Sequence, residues 1–361
     1  MAKPDVIVLQ LCPNDSPPFR EICLSYKDSL TSLGYSCITT FFEKPHGEAL
    51  PGAIYLNSES KSNRNLGNLL LQRLSPRQIA SCKIGLCHRY RSLQVIKKLG
   101  LKLEKTVCIA HEFSMFRTLK RRINYLSFDK GVIFGGVSKP LVNDLERYIA
   151  NPVLLPNALN SGNLTDSRIS SDLARTFFDL KDDQFNVGVV GRLHQKKQPD
   201  LALEGFLEFV TSFPESTLTF VGDGDLLRPL KQITRDPRVR FYGFVANITR
   251  YISAFDVLLI TSSNIEAFNM VALEAMAAGI RVIAGPAEGP AFVMGKTAIY
   301  FQEFSAPSIS EALTFAYQEE KDARLAAIRM GEMRAKSHFS TEALADRLAL
   351  ILGSTERNNG F

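Results

Sequence analysis

The sequence predicts an α/β protein of two doubly wound domains that face each other across a cleft. Short apolar, β-rich runs alternate with amphipathic stretches along the whole chain, the pattern of parallel sheets covered by helices. The strand candidates are continuously apolar rather than alternating, so each sheet is buried on both faces. The length, 361 residues, is long for one domain and suits two of about 150 to 200 residues.

The elements follow in order. Strands are expected at 6–11, 36–42, 83–87, 106–110, 131–137 and 153–155, and these define a first domain over 1–155. Residues 156–185 open with Pro156-Asn157 and are rich in Ser, Asn and Asp, as a connecting region would be. A second domain over 186–340 carries strands at 186–191, 216–221, 239–242, 257–260, 281–284 and 298–301, with helices at 199–213, 269–278 and 309–318. A C-terminal helix and frayed tail complete the chain at 341–361.

Composition narrows the class. Hydrophobic residues make up 45% and charged residues 22%, which fits ordinary globular cores. No apolar run reaches the ~20 residues that span a bilayer, and the first residues lack the pattern of a secretory signal. Cys12, Cys23, Cys37, Cys82, Cys87 and Cys108 form no Cys-x-x-Cys pair and mostly sit in apolar runs. Reduced core thiols in a cytoplasmic protein are the expectation. Charge is uneven. Residues 1–155 hold 22 Lys+Arg against 12 Asp+Glu, a net of +10, while the rest carries −4. A basic half predicts an anionic partner: nucleic acid, an anionic membrane surface at the inner face or a phosphorylated acceptor would all serve.

Open α/β sheets bind ligands at the carboxyl ends of their strands, so the residues after each strand matter most. Glu266-Ala267-Phe268-Asn269-Met270-Val271-Ala272-Leu273-Glu274 follows a strand and opens a helix that stops at Gly279. Asn269 suits an N-cap. The amides of Met270 and Val271 would then point outward, forming an anion site that fits a diphosphate. Glu266 is expected in the loop at the mouth, and Glu274 about two turns away. The strand at 186–191 runs into Gly191-Arg192-Leu193-His194-Gln195-Lys196-Lys197, where Arg192 offers a planar fork and Lys197 a mobile charge for phosphate oxygens.

Gly191-Arg192-Leu193 with Lys197, then Val221-Gly222-Asp223-Gly224, then Val239-Arg240-Phe241-Tyr242-Gly243-Phe244, then the Glu266 to Glu274 segment and Ala275-Met276-Ala277-Ala278-Gly279: this order resembles the family-4 type (group 1) retaining glycosyltransferases of GT-B fold. The match runs over about 186–301. The resemblance implies two Rossmann-like domains and a nucleotide-sugar donor, with a UDP-sugar favoured. It assigns Arg192 and Lys197 to the diphosphate, Glu274 to the ribose, Glu266 to the donor sugar, and the Phe244 backbone to the base. Ala267-Phe268-Asn269 stands where the family often has Gly-Phe-Gly, so an altered sugar pocket is expected.

In the first half a proline-bearing loop, Cys12-Pro13-Asn14-Asp15-Ser16-Pro17-Pro18, replaces the usual glycine-rich one. His88-Arg89 and His111 each end a candidate strand. In GT-B relatives a histidine there meets the donor sugar, and His111 is the better match, with His88 and Arg89 as further contacts to sugar or acceptor. The pairing also resembles enzymes of lipopolysaccharide and envelope-glycan assembly, which implies transfer of a hexose to a glycan or lipid-linked acceptor. An epimerase of the same fold, or a catalytically idle glycan- or membrane-binding relative, is the alternative.

Asp223-Gly224-Asp225 resembles a metal-binding Asp-x-Asp, yet its place in a Gly-Asp-Gly turn explains it; neither metal nor cofactor is expected. Residues 113–125 place Phe113, Phe116, Leu119 and Ile123 at helical spacing among Arg117, Lys120, Arg121 and Arg122. Such a helix lies on an anionic leaflet or packs as a core helix with a solvated basic face. No nucleic-acid-binding motif is present, so no such partner is expected.

Overall fold

The computed structural model describes residues 6–126, 131–159 and 169–353. The chain divides into two compact units, 1–160 with 339–361, and 161–338. The first is built on a parallel sheet of β1 (Ile7–Cys12), β2 (Ser36–Phe41), β3 (Ile54–Tyr55), β4 (Cys82–His88), β5 (Lys105–Ala110), β6 (Val132–Gly136) and β7 (Val153–Leu154). Their order is β3-β2-β1-β4-β5-β6-β7. The second holds β8 (Phe185–Val190), β9 (Ser216–Val221), β10 (Val239–Gly243), β11 (Val257–Ile260), β12 (Arg281–Ala284) and β13 (Ile299–Tyr300). These run β10-β9-β8-β11-β12-β13. In each sheet the order reverses once, between β1 and β4 and between β8 and β11. A doubly wound sheet opens a crevice at that point, at the carboxyl ends of the two strands.

The strands form where continuous apolar runs predicted them, because only a strand covered on both faces removes every side chain of such a run from water. The sheet of the second unit packs Val187, Phe206, Phe220, Leu259 and Ile309 into one core. Its helices differ from expectation at their ends. The one expected at 199–213 ends at Phe209, and Phe213 packs on the core from the following turn. The one expected at 309–318 begins at Ala306, because the Ser305 hydroxyl accepts from the Ser308 amide and caps it. β3 is new: two residues give no readable period.

Within the region read as connecting, residues 160–168 lie outside the described residues. Its helix Ser171–Phe177 packs within the second unit, where Arg175 pairs with Asp256 at 3.0 Å and Ser171 donates to Ser253 O at 2.9 Å. The C-terminal helix Thr341–Leu352 joins the first unit, with Ser29 donating to Thr341 O at 2.8 Å and Lys105 to Ile351 O at 3.2 Å. The tail expected to fray beyond it, 358–361, also lies outside the described residues. All six cysteines are free thiols, five of them buried and Cys37 half-buried. Burial pushes the Cys37 thiol up to about 12. Among the described residues no helix is long and apolar enough to cross a membrane.

Candidate functional site

The crevice of the second unit is assembled by loops that lock together. After β8, Gly191 N donates to Val221 O and Leu193 N to Asp223 O, both at 2.9 Å, so the β8 and β9 loops run side by side. Gly222 makes this approach possible: its φ is +146°, and a Cβ there would lie 1.9 Å from Gly191 O. The zipped loops set Arg192 at the strand ends. Arg192 is exposed and pairs with no group among the described residues. β10 joins the same edge through Gly222 N to Gly243 O at 2.7 Å, which leaves Phe244 exposed just beyond.

On the other side of the crevice, the loop after β11 is pinned to the Lys197 turn. Thr261 Oγ1 donates to Lys197 O at 2.8 Å and Ser263 N to Lys196 O at 2.9 Å. Lys197 Nζ then donates to Glu266 Oε1, and Asn269 Nδ2 donates to Glu266 Oε2 at 3.0 Å and to Ser262 Oγ at 3.3 Å. Asn269 is the expected N-cap, its Oδ1 accepting from Ala272 N at 2.9 Å at the head of the helix Met270–Ala277. The amides of Met270 and Val271 take no acceptor among the described residues, and Glu274 lies half-buried further along the helix. Gly191, Arg192, Lys197, Thr261, Ser262 and Asn269 line one recess.

Glu266 lies in the loop before the helix, as expected, and there it is only 7% exposed and held by an ion pair. A buried carboxylate needs a cation and a hydrogen-bond donor to persist, and Lys197 and Asn269 supply them. Groups assigned to sugar and to diphosphate therefore touch each other. Asn269 caps the helix as expected and its amide also holds Ser262 and Glu266, so its side chain frames the anion site beside the Met270 and Val271 amides. Ser262 and Gly289 were missed. A Cβ at Gly289 would lie 2.0 Å from Glu266 O, a close approach that local sequence does not announce. Asp223 Oδ1 accepts from Gly224 N at 2.7 Å, as a turn aspartate does. Among the described residues no group of three His, Cys, Asp or Glu gathers as metal ligands would.

In the first unit His88 ends β4 and His111 follows β5. His88 is fully buried, with Nε2 3.0 Å from Gln10 Nε2 and Nδ1 3.0 Å from His111 Nε2. This corrects the reading of His88 as a sugar or acceptor contact: both ring nitrogens are engaged inside the fold. Arg89 adopts a φ of +72° and lays its guanidinium over the Phe19 ring at 4.1 Å, with Glu112 at 3.6 Å. Burial, then the Arg89 charge, pushes the His88 imidazole down to about 3. Burial, His88 and Arg89 hold His111 well below its ordinary value.

The helix expected over 113–125 begins only at Leu119 (Leu119–Leu126). Phe116 is core, while Leu119 and Ile123 stand exposed at 68% and 58%. Arg121 and Arg122 turn back onto Met115 O and Phe116 O, leaving Arg117 and Lys120 exposed.

Two parallel sheets, each reversing order once, define the GT-B class of fold. A glycosyltransferase from Rickettsia africae superposes with a TM-score of 0.80 at 14% identity, covering 98% of this chain and 100% of its own. HepE from Anabaena, solved in complex with UDP and glucose, gives 0.79 at 17% identity over 97% and 100%. At those identities the likeness is one of fold. In sequence, residues 184–319 match the family described as glycosyl transferases group 1, so the second unit carries a domain of that family. The lipopolysaccharide core biosynthesis glycosyltransferase LpsD of Rhizobium meliloti is 34% identical over 136 residues, 37% of this chain and 38% of that relative. The match thus spans well under half of LpsD.

Proposed function

We propose that the protein is a metal-independent, retaining glycosyltransferase. It moves a hexose from a nucleotide-sugar, UDP-sugar favoured, to a glycan or lipid-linked acceptor of the bacterial cell envelope. The observation that carries this reading is the Lys197–Glu266–Asn269 cluster at the β8/β11 crevice, beside the uncommitted Arg192 and the free amides of the helix Met270–Ala277. Fixed donors and cations of this kind stabilise a departing diphosphate best where water is excluded. The C1–O bond to the diphosphate breaks as the acceptor oxygen bonds C1 on the same face. The acceptor proton passes to the departing phosphate oxygen, giving UDP and the glycoside. Diphosphate oxygens take over the Lys197 ammonium, and the Glu266 carboxylate is freed to stabilise the oxocarbenium-like sugar. Glu274 binds the ribose, the Phe244 backbone the base, and His111 and Arg89 the sugar or acceptor. LpsD, by its name, and HepE, by its bound UDP, support the acceptor and donor classes.

Calorimetry with UDP in EDTA, beside steady-state kinetics, tests the site. Ribose contacts are equal in substrate and transition state, so Glu274→Gln should weaken UDP binding and raise KM about tenfold. Glu266→Gln should keep UDP affinity and lower kcat about 10²-fold. Absence of UDP binding in EDTA, with rescue by Mn²⁺, would overturn the metal-independent reading.

The exposed Leu119 and Ile123 beside Lys120 and Arg117 support docking on an anionic inner membrane face, with the protein otherwise cytoplasmic. Co-sedimentation with phosphatidylglycerol vesicles should fall severalfold in Leu119→Ser/Ile123→Ser. Unchanged sedimentation would remove the membrane from the proposal.

A further inference from the structure

Gln10 is a polar side chain in an otherwise apolar strand, and it is fully buried. Its orientation follows from its neighbours. Cys23 O, which can only accept, lies 3.2 Å from Gln10 Nε2, and the Thr39 hydroxyl donates to Gln10 Oε1 at 2.8 Å. The amide nitrogen therefore faces His88 Nε2 at 3.0 Å as a donor, and His88 Nε2 must accept. A neutral imidazole with its lone pair on Nε2 carries its proton on Nδ1. His88 Nδ1 then donates to His111 Nε2 at 3.0 Å, which puts the His111 proton on Nδ1 in turn. Every bond from Thr39 onward points the same way, and each polarises the next.

The chain ends on an uncommitted group. His111 Nδ1 is a buried atom with no hydrogen-bond partner among the described residues, and Arg89 Nε beside it is in the same state. A buried N–H without an acceptor is costly, and two at the ends of the paired strands β4 and β5 call for an explanation in function. The His111 residue is half-buried while Nδ1 itself is covered, so a ligand oxygen must enter against the ring to meet it. Phe19 packs edge-on at 5.1 Å and fixes the ring plane. The neutral state needs no further device, since burial and the Arg89 charge hold both imidazoles deprotonated at pH 7.

We infer that Gln10 and His88 are positioning residues that lock His111 as the Nδ1–H tautomer, so that it serves as a hydrogen-bond donor to a ligand oxygen and cannot serve as a base. The ligand oxygen is a sugar hydroxyl or glycosidic oxygen, and this part rests on the glycosyltransferase reading above. The tautomer does not.

The test uses the full chain labelled with ¹⁵N-histidine, with long-range ¹H–¹⁵N correlations at pH 7 and no substrate. Both His88 and His111 should show protonated Nδ1 and bare Nε2, the minor form of a free imidazole. Gln10→Met removes the orienting donor and should convert both to exchange-averaged patterns. His88→Asn keeps an amide N–H near the place of Nδ1 and should keep His111 in the Nδ1–H form. A wild-type His111 protonated on Nε2, or tautomers unmoved by Gln10→Met, would overturn the relay. The two readings fail separately: the expected tautomer without UDP binding sinks the donor site alone, and UDP binding with His111 protonated on Nε2 sinks the relay alone.

Discussion

Lys197 and Glu266 neutralise each other in a place where neither charge is well hydrated, and this changes what a substitution there does. A lysine that met only a ligand could be removed without loss of stability. With the pair in view, removing the ammonium leaves a carboxylate that is 7% exposed with Asn269 as its remaining side-chain donor. Loss of one partner of a buried pair costs more than loss of both. Lys197→Ala should destabilise the second unit by about 1–3 kcal/mol, and Lys197→Ala/Glu266→Gln should recover most of that loss in urea unfolding. Additive single effects would show that the contact carries no coupling. The identity of these residues was legible because they stand at strand ends in a recognisable order. Their contact was not, since 69 positions separate them. Gln10 was legible in principle: one amide inside Ile7–Cys12 must find partners within the fold.

The loops, at the scale of elements, are positioned by backbone more than by side chains. The β8 and β9 loops touch at Gly222, where a Cβ would strike Gly191 O, whereas Gly243, with φ +68°, faces open space. The two glycines separate two costs. Gly243→Ala meets only the left-handed backbone penalty, about 1 kcal/mol. Gly222→Ala must also push the Arg192 loop away, so it should cost about 2 kcal/mol or more and weaken UDP binding about tenfold by calorimetry. Equal effects would mean that the loops do not depend on this approach. The strands themselves were read well from sequence, because burial on both faces writes itself as a continuous apolar run. Helix ends were read less well. Phe213 keeps the apolar period after the helix has stopped, and Leu119 and Ile123 share a period with Phe116 without sharing its burial. Periodicity reports a repeat, and only tertiary packing decides which members of it meet the core.

Across the whole molecule, the two units respond differently to acid, because only the first buries histidine. Of the five histidines, His46, His194 and His338 are exposed, while His88 is sealed in the first sheet against Gln10 and His111. In the unfolded chain His88 titrates near 6.5, and in the fold near 3, because burial and the Arg89 charge disfavour the imidazolium. Between those values the unfolded chain binds a proton that the native chain refuses, so stability is complete above pH 6.5 and drains as pH falls toward 3. At 1.36 kcal/mol per pH unit the loss from pH 6.5 to 4 is about 3 kcal/mol. His111, displaced in the same direction, titrates with His88 as a coupled pair and adds to it. Hydrogen exchange by mass spectrometry, corrected for intrinsic rates, reads this by segment. Opening free energies at β1 and β4 should fall by about that amount between pH 7 and 4, while β8 and β11 change much less. His88→Asn, which has no proton to take up, should flatten the response of β1 and β4. Equal losses in both sheets, or an unaltered slope in His88→Asn, would assign the acid sensitivity to carboxylates and leave the histidine pair without a part in it.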